Sequence, residues 1–231
     1  MFHSKNLIDD QENKYFDLLK NKDIILVGPS SYLIGKNKGR EIDEYDLIAR
    51  MNFSIPTKEE MKIDLGSRTD ILYKRLLKRI NKQGDYFPTK EEIKSWKNDK
   101  LKWVVVIATS NMSKGTKFGE INKFFPWTVT GKVKGEIKKA SGVKQIFAGL
   151  ISAVHILKSK AKSLTITNCT FYNTGYYDSY RGLIGKDASE DTDRKDFEVL
   201  TQLKFLNNLR KSDSRLIFDE CLEEIIRQNR L

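Results

Sequence analysis

Short apolar runs alternate with amphipathic stretches along the whole chain. Ile24 to Val27 is a run of four aliphatic residues closed by Gly28-Pro29, which reads as a buried strand ending in a turn. Residues 46–51 (DLIARM) and 70–73 (DILY) predict two more strands, and Trp103 to Ala108 is six consecutive apolar residues, four of them β-branched. Such a run implies burial on both faces and a central parallel position. Further strands are predicted at 127–130, 163–167 and 215–218. Between them the periodicity predicts helices over 8–19, 89–98 with Thr89 as cap, 118–125, 132–140, 145–160, 196–210 and 219–229, the fifth carrying apolar residues at 147, 150, 151, 154 and 157. About seven strands alternating with helices predict an α/β fold: one Rossmann-like, doubly wound, mostly parallel sheet. A length of 231 residues suits one domain of that kind, spanning 1–231.

In such sheets ligands bind beyond the carboxyl ends of the strands. That rule brings four segments to one crevice: Gly28, Pro29, Ser30 and Ser31; Asn52; Thr109, Ser110 and Asn111; and Asn168, Cys169, Thr170 and Tyr172. The turn at Gly28 is neither a G-x-G-x-x-G fingerprint nor a lysine-bearing P-loop, so no dinucleotide or P-loop nucleotide is indicated. Residues 168–194 are long and polar for a connector and hold Tyr172, Tyr176, Tyr177 and Tyr180, which predicts a lid or acceptor loop.

Charge narrows the partners. The formal net charge is +11 and the pI near 9.4, so nucleic acid, an anionic lipid surface and a nucleotide-sugar all fit. No helix-turn-helix, RNA-recognition or zinc motif occurs, and the aromatic residues cluster in one loop, which argues against nucleic acid. Lys/Glu mixing over 90–100 is ordinary exposed helix, whereas the basic stretches 132–139 and 158–162 suit an anionic glycan or membrane surface. Cys169 and Cys221 have no metal spacing, and His3 and His155 lie far apart, so no metal site is expected. His155 interrupts an apolar helix stripe and reads as a core-edge histidine. No segment approaches about 18 consecutive apolar residues, and the N-terminus lacks a signal-peptide layout, so a cytoplasmic protein, peripheral to a membrane at most, is expected.

The run ILVGPSSYLIGKNKGREIDEYDLIARMN followed by DLGSRTDILY resembles the large sialylmotif of glycosyltransferase family 29, the eukaryotic-type sialyltransferases. The matching residues are Gly28 and Ser30, Gly39-Arg40-Glu41-Ile42-Asp43, Asp46, Arg50 with Asn52, and Gly66-Ser67-Arg68-Thr69. AGLISAVHILKSKAKSLTITNCTFY resembles the small sialylmotif, with Phe147-Ala148-Gly149 where the family has Ser/Thr-Ser/Thr-Gly. Only backbone N–H groups around Gly149 would then hold the donor there, which a helix N-terminus can do for a phosphate. The resemblance implies a GT-A-like variant of the fold and an inverting transferase. Its donor would be a CMP-activated acidic sugar, its acceptor a glycan or glycolipid, and it would use no metal or other cofactor.

The resemblance also implies a general base, a histidine in a His-Asp-Phe-Glu-like segment. Here that segment is Lys195-Asp196-Phe197-Glu198, so Lys195 stands at the histidine position and Asp193 two residues before it. A lysine near its ordinary pKa of about 10.4 is protonated and accepts no proton, while burial or Arg194 beside it would lower that value. Three readings stay open: Lys195 is a depressed-pKa base, Asp193 or another carboxylate replaces it, or the protein binds its nucleotide-sugar without efficient transfer.

Overall fold

The computed structural model describes residues 2–52, 54–75, 88–98, 100–107, 121, 123–177, 180 and 198–231. Its strands are β1 (Asp23–Val27), β2 (Leu47–Met51), β3 (Ile71–Arg75), β4 (Trp103–Ile107), β5 (Trp127–Val129), β6 (Ser163–Thr167) and β7 (Leu216–Phe218). They form one seven-stranded sheet in the order β5-β4-β3-β2-β1-β6-β7, and every neighbouring pair is parallel. The chain therefore winds outward from β1 to β5, crosses back, and adds β6 and β7 on the other side of β1. The direction of winding reverses between β1 and β6, and a crevice opens at that point of an open parallel sheet.

Strand alternation sorts the core into two layers. One face carries Ile24, Leu26, Ala49, Met51, Tyr73, Val105, Leu164 and Ile166. It is covered by α1 (Phe2–Leu19), α5 (Gly131–Ser141), α6 (Ala148–Leu157), α7 (Val199–Ser212) and α8 (Glu220–Gln228). The opposite face carries Ile25, Val27 and Ile48 under α2 (Gly39–Asp43) and α3 (Glu59–Leu65), and Leu72, Val104 and Val106 under α4 (Lys90–Asn98). The predicted cap of α4 is a reciprocal box: Glu92 N donates to Thr89 Oγ1 at 3.1 Å, and Thr89 N to the Glu92 carboxylate at 2.7 Å. That arrangement satisfies two orphan helix donors at once.

Three elements differ from the sequence pattern. α2 and α3 occupy a stretch that carries too few apolar residues to show a helical period. They form because each buries one or two side chains, Ile42 from α2 and Met61 and Leu65 from α3, against β1 and β2. The helix predicted over 145–160 is shorter, since Phe147 stands as its extended N-cap and Lys158 as its C-cap. Most of the helix predicted over 118–125 lies outside the described residues. The basic stretches are partly neutralised within the chain: Lys132 pairs with Asp9, Lys158 with Glu136 and Lys162 with Asp23. No described helix is long and apolar enough to cross a membrane.

His155 is fully buried between α6, α1 and β3. Its Nδ1 lies 3.1 Å from the Tyr73 hydroxyl, which lies 2.7 Å from the Tyr15 hydroxyl. The Tyr15 ring stacks on the imidazole at 5.0 Å. Nε2 has no hydrogen bond, the nearest acid being Glu12 Oε1 at 3.6 Å. Burial holds His155 below its ordinary pKa of 6.5, Glu12 works against that shift, and Lys158 adds to it. Neutral imidazole is thus the form the fold prefers, and the unfolded chain takes up a proton more readily. The stability this contributes is present above pH 6.5 and is lost as pH falls below it. We expect the Tm to decline from pH 7 to pH 5 and His155→Phe to flatten that decline; a variant with the full acid slope would disprove the assignment.

Candidate active site

At the switch point the turns leaving β1 and β6 run in contact. Gly28 has no room for a side chain: a Cβ there would lie 2.3 Å from the Asn168 carbonyl oxygen and 2.6 Å from the Cys169 sulfur. Asn168, completely buried and at φ 56°, locks the two turns together. Its Nδ2 donates to the carbonyls of Gly28 and Ser30 at 2.9 and 2.6 Å, and its Oδ1 accepts from Leu33 N at 3.1 Å. Asp219 supports the same turn from α8, accepting from Thr167 Oγ1 and Asn168 N with one oxygen and from Leu222 N, inside the helix it caps, with the other. The side chain of Asn168 is therefore spent on building the crevice.

Beyond Asn168 the chain doubles back over the β1 turn as a strap. Ser31 N donates to the Gly175 carbonyl at 2.8 Å, and Tyr177 N to the Pro29 carbonyl at 3.4 Å. Ser30 forms an antiparallel bridge with Tyr176. The Ser30 hydroxyl joins those of Thr174 and Thr170 in a chain of 2.9 and 3.0 Å contacts and accepts from Tyr32 N. Residues 170–177, expected as part of a lid or acceptor loop, are thus pinned to the β1 turn. Tyr177 and Tyr180 are core side chains at 3% and 2% exposure.

The third wall is the first turn of α6. A Cβ on Gly149 would sit 3.5 Å from Met51 Sδ and 3.9 Å from Cys169 Sγ, so this turn overlies the ends of β2 and β6. The first N–H groups of a helix lack partners inside it, and the Phe147 side chain caps none of them. Phe147 N itself is taken by Gln202 Oε1 at 2.9 Å. The Phe147 ring meets Phe171 at 5.2 Å and Tyr172 at 5.1 Å, and Tyr172 meets Tyr176 at 6.1 Å, which makes an aromatic wall along the crevice. Phe171 and Tyr172 stand at φ 49° and 69° and Asn52 at 53°. Left-handed backbone at non-glycine residues costs about 1–3 kcal/mol each and gathers at functional sites. Asn52 lies at the end of β2, 7% exposed, its Oδ1 accepting from Arg75 N at 3.0 Å. Its Nδ2 makes no hydrogen bond among the described residues.

Gly28, Pro29, Ser30, Ser31, Asn52, Gly149, Asn168, Cys169, Thr170 and Tyr172 are therefore brought together around one crevice. Ser110, Asn111, Asp193 and Lys195 lie outside the described residues. The Cys169 thiol, wedged between Gly28 and Gly149, is pushed well above its ordinary pKa by burial and by Asp219, and Cys221 is raised to about 11 by burial first. Neither is a ready nucleophile. Asp219 and Thr174 were not expected at the site, because the partners they hold across it, Thr167, Asn168 and Ser30, lie 51 to 144 residues away. Among the described residues no group of three or more His, Cys, Asp or Glu side chains could hold a metal ion.

The residues of the large motif mostly build the floor. Gly39 lets α2 touch α3, since a Cβ there would lie 2.0 Å from the Lys62 carbonyl oxygen. Asp43 accepts from Ser67 N, Ser67 Oγ and Arg68 N. Arg50, fully buried, donates from Nε and Nη2 to the carbonyls of Leu65, Gly66 and Arg68 and to Thr69 Oγ1. Burial pulls its pKa down to about 10, against the pull of Tyr177, Asp43 and Asp70.

The sequence profile of glycosyltransferase family 29 (sialyltransferase) matches residues 5–160. The chain belongs to that family. As a member of a glycosyltransferase family it is an enzyme, and solved sialyltransferase structures share its fold. A mammalian sialyltransferase in complex with Gal-β-1-3GalNAc-ortho-nitrophenol aligns at 13% identity and TM-score 0.52, over 89% of this chain and 71% of that one. The sialyltransferase CstII from Campylobacter jejuni, in complex with the substrate analogue CMP-3FNeuAc, aligns at 13% identity and TM-score 0.52, over 85% and 80%. A variant of Cst-II in complex with CMP aligns at 14% identity and TM-score 0.54, over 84% and 80%. No curated protein sequence matches the chain.

If Asn168 locks the crevice, the isosteric change Asn168→Asp sets a carboxylate against two carbonyl oxygens. We expect it to cost on the order of 3 kcal/mol, read by denaturant unfolding. Gly28→Ala is expected to cost at least about 1–3 kcal/mol, because its clashes are with backbone and a packed thiol. Either variant folding with wild-type stability would show that the two turns do not depend on each other.

Proposed function

We propose that the protein transfers an acidic sugar from a CMP-sugar donor to a glycan or glycolipid acceptor, inverting the anomeric centre in one displacement without a divalent ion. The observation that supports this most is the first turn of α6 over the ends of β2 and β6, an uncapped set of backbone N–H groups beside Met51 and Cys169. A phosphate at such a turn is stabilised by the helix dipole and by several N–H donors. In this reading Ser31 and the Asn52 Nδ2 amide face the nucleotide, beside the β1 turn that Gly28 lets close on Asn168. Tyr172 and the neighbouring rings offer an apolar surface to a sugar.

The reaction then needs three things. The acceptor hydroxyl must lose its proton as it attacks, the bond from the anomeric carbon to the phosphate oxygen must break, and CMP must leave with that electron pair. N–H donors preorganised at α6 stabilise the charge growing on the phosphate. The proton goes to the segment holding Asp193 and Lys195, with Lys195 as acceptor if its pKa is depressed into the neutral range. The sequence contains one Asp-x-Asp triplet, Asp191 to Asp193, so metal independence is a point to measure. The exposed lysines Lys138, Lys139 and Lys160 suit an anionic membrane surface carrying the acceptor.

CMP is expected to raise the Tm, while UMP, GMP and a single-stranded oligonucleotide leave it unchanged, and EDTA is expected not to reduce turnover of a CMP-sugar. Stabilisation by the oligonucleotide alone would refute the transferase reading. CMP binding without consumption of a CMP-sugar by any acceptor would mean a silent nucleotide-sugar binder. Lys195→Arg is expected to abolish turnover with CMP affinity nearly unchanged; retained turnover would move the base to Asp193 or elsewhere.

A further inference from the structure

Two buried polar atoms beneath the crevice have no hydrogen-bond partner, and they are chemically complementary. Arg50 is fully buried and uses Nε and Nη2 to hold the Leu65–Thr69 turn, yet its Nη1 is bonded to nothing. Tyr177 is 3% exposed and its hydroxyl is likewise unbonded. Tyr177 belongs to the buried cluster that includes Ile25, Val27, Ile48 and Leu65, on the face of the sheet that also carries the Arg50 side chain. The two groups are near enough for each to act on the charge of the other. Buried polar groups are almost always satisfied, and leaving a donor and an acceptor both unmet costs more than the pair would gain by bonding.

Their positions in the chain say what such a bond would join. Arg50 stands two residues before Asn52 and holds the turn that follows α3. Tyr177 is the end of the strap: its own N–H donates to the Pro29 carbonyl, and the residues before it are bonded to Ser30 and Ser31. A bond from Arg50 Nη1 to the Tyr177 hydroxyl would tie the β1 turn, through the strap, to the end of β2. These are the two sides of the site to which the proposed function assigns the nucleotide.

We propose that Tyr177 and Arg50 are positioning residues for the donor: a hydrogen bond between them forms as a nucleotide binds in the crevice. Neither group touches the ligand. The nucleotide draws the β1 turn inward, the strap follows, and the pairing of the two orphaned atoms adds to the affinity. This inference rests on the CMP-donor reading and goes beyond it by making binding depend on a side chain on the far face of the sheet.

Tyr177→Phe removes one oxygen and keeps the ring. Because that oxygen is unpartnered without ligand, the Tm of the empty variant is expected to equal or exceed that of the wild type, whereas its CMP affinity by calorimetry falls about tenfold, the loss expected for a hydrogen bond to a charged group. The KM for a CMP-sugar should rise in parallel, with kcat within twofold. CMP affinity within twofold of wild type would overturn the proposal while leaving the donor reading intact. A weaker affinity accompanied by a lower Tm of the empty variant would also overturn it, by showing that the hydroxyl holds the fold. If the wild-type protein itself fails to bind CMP, the donor reading and this inference fall together.

Discussion

The closeness of two backbone turns at the centre of the sheet governs the rest of the site. A parallel pair of strands ends side by side, about 4.8 Å apart, and any side chain at Gly28 would hold the following turns away from each other. With only hydrogen there, Asn168 can reach the carbonyls of Gly28 and Ser30 at once. Its three bonds add to the two backbone bonds that still join the turns there, from Gly28 N to the Thr167 carbonyl and from Ser30 N to the Asn168 carbonyl. The hydroxyl chain of Ser30, Thr174 and Thr170, the bridge to Tyr176 and the Asp219 support all assume that contact. The crevice walls are thus a consequence of one missing methyl group and one amide.

A second layer of constraint lies under β2. Arg50 brings a charge into the interior without a carboxylate in hydrogen-bond range; its bonds are to carbonyl oxygens and one hydroxyl. Neutral acceptors offset the desolvation of a guanidinium only in part, which agrees with its lowered pKa. Arg68 complements it from the other side of the turn, donating to the carbonyls of Asp43, Tyr45 and Asp46 and pairing with buried Asp70. Two arginines therefore gather the loops of the floor by their carbonyls, and geometry that a loop would otherwise lose to entropy is fixed by planar, multiply donating groups.

The strands were legible because burial on both faces writes itself as unbroken apolar runs; Ile24 to Val27 and Trp103 to Ile107 left no alternative. The α4 cap was legible for the same local reason, a Thr and a Glu three residues apart. α2 and α3 were not, since five and seven residues show no period and hold their place by contact with each other at Gly39. The convergence of Gly28, Asn52 and Asn168 followed from the strand-end rule, but their division of labour did not. Asn168 serves the protein's own carbonyls, while the Asn52 Nδ2 makes no hydrogen bond among the described residues, and nothing local to either residue distinguishes them. Tyr177 looked like a loop aromatic because its partners in the core belong to β1, β2 and α3. The strap that buries it is a tertiary fact.

The all-parallel order of the sheet also sets when the site can exist. Gly28 and Asn168 are joined by a bond spanning 140 residues, and β1 pairs with β2 almost at once but with β6 only after four more strands have been made. During synthesis one edge of β1 therefore stays open through more than half of the chain, presenting unpaired backbone groups and the aliphatic run Ile24 to Val27. Long-range parallel pairing of this kind slows folding and leaves an adhesive edge uncovered meanwhile. The crevice between the β1 and β6 turns is formed by the same event that closes that edge, so the site cannot precede the long-range pairing that completes the centre of the sheet.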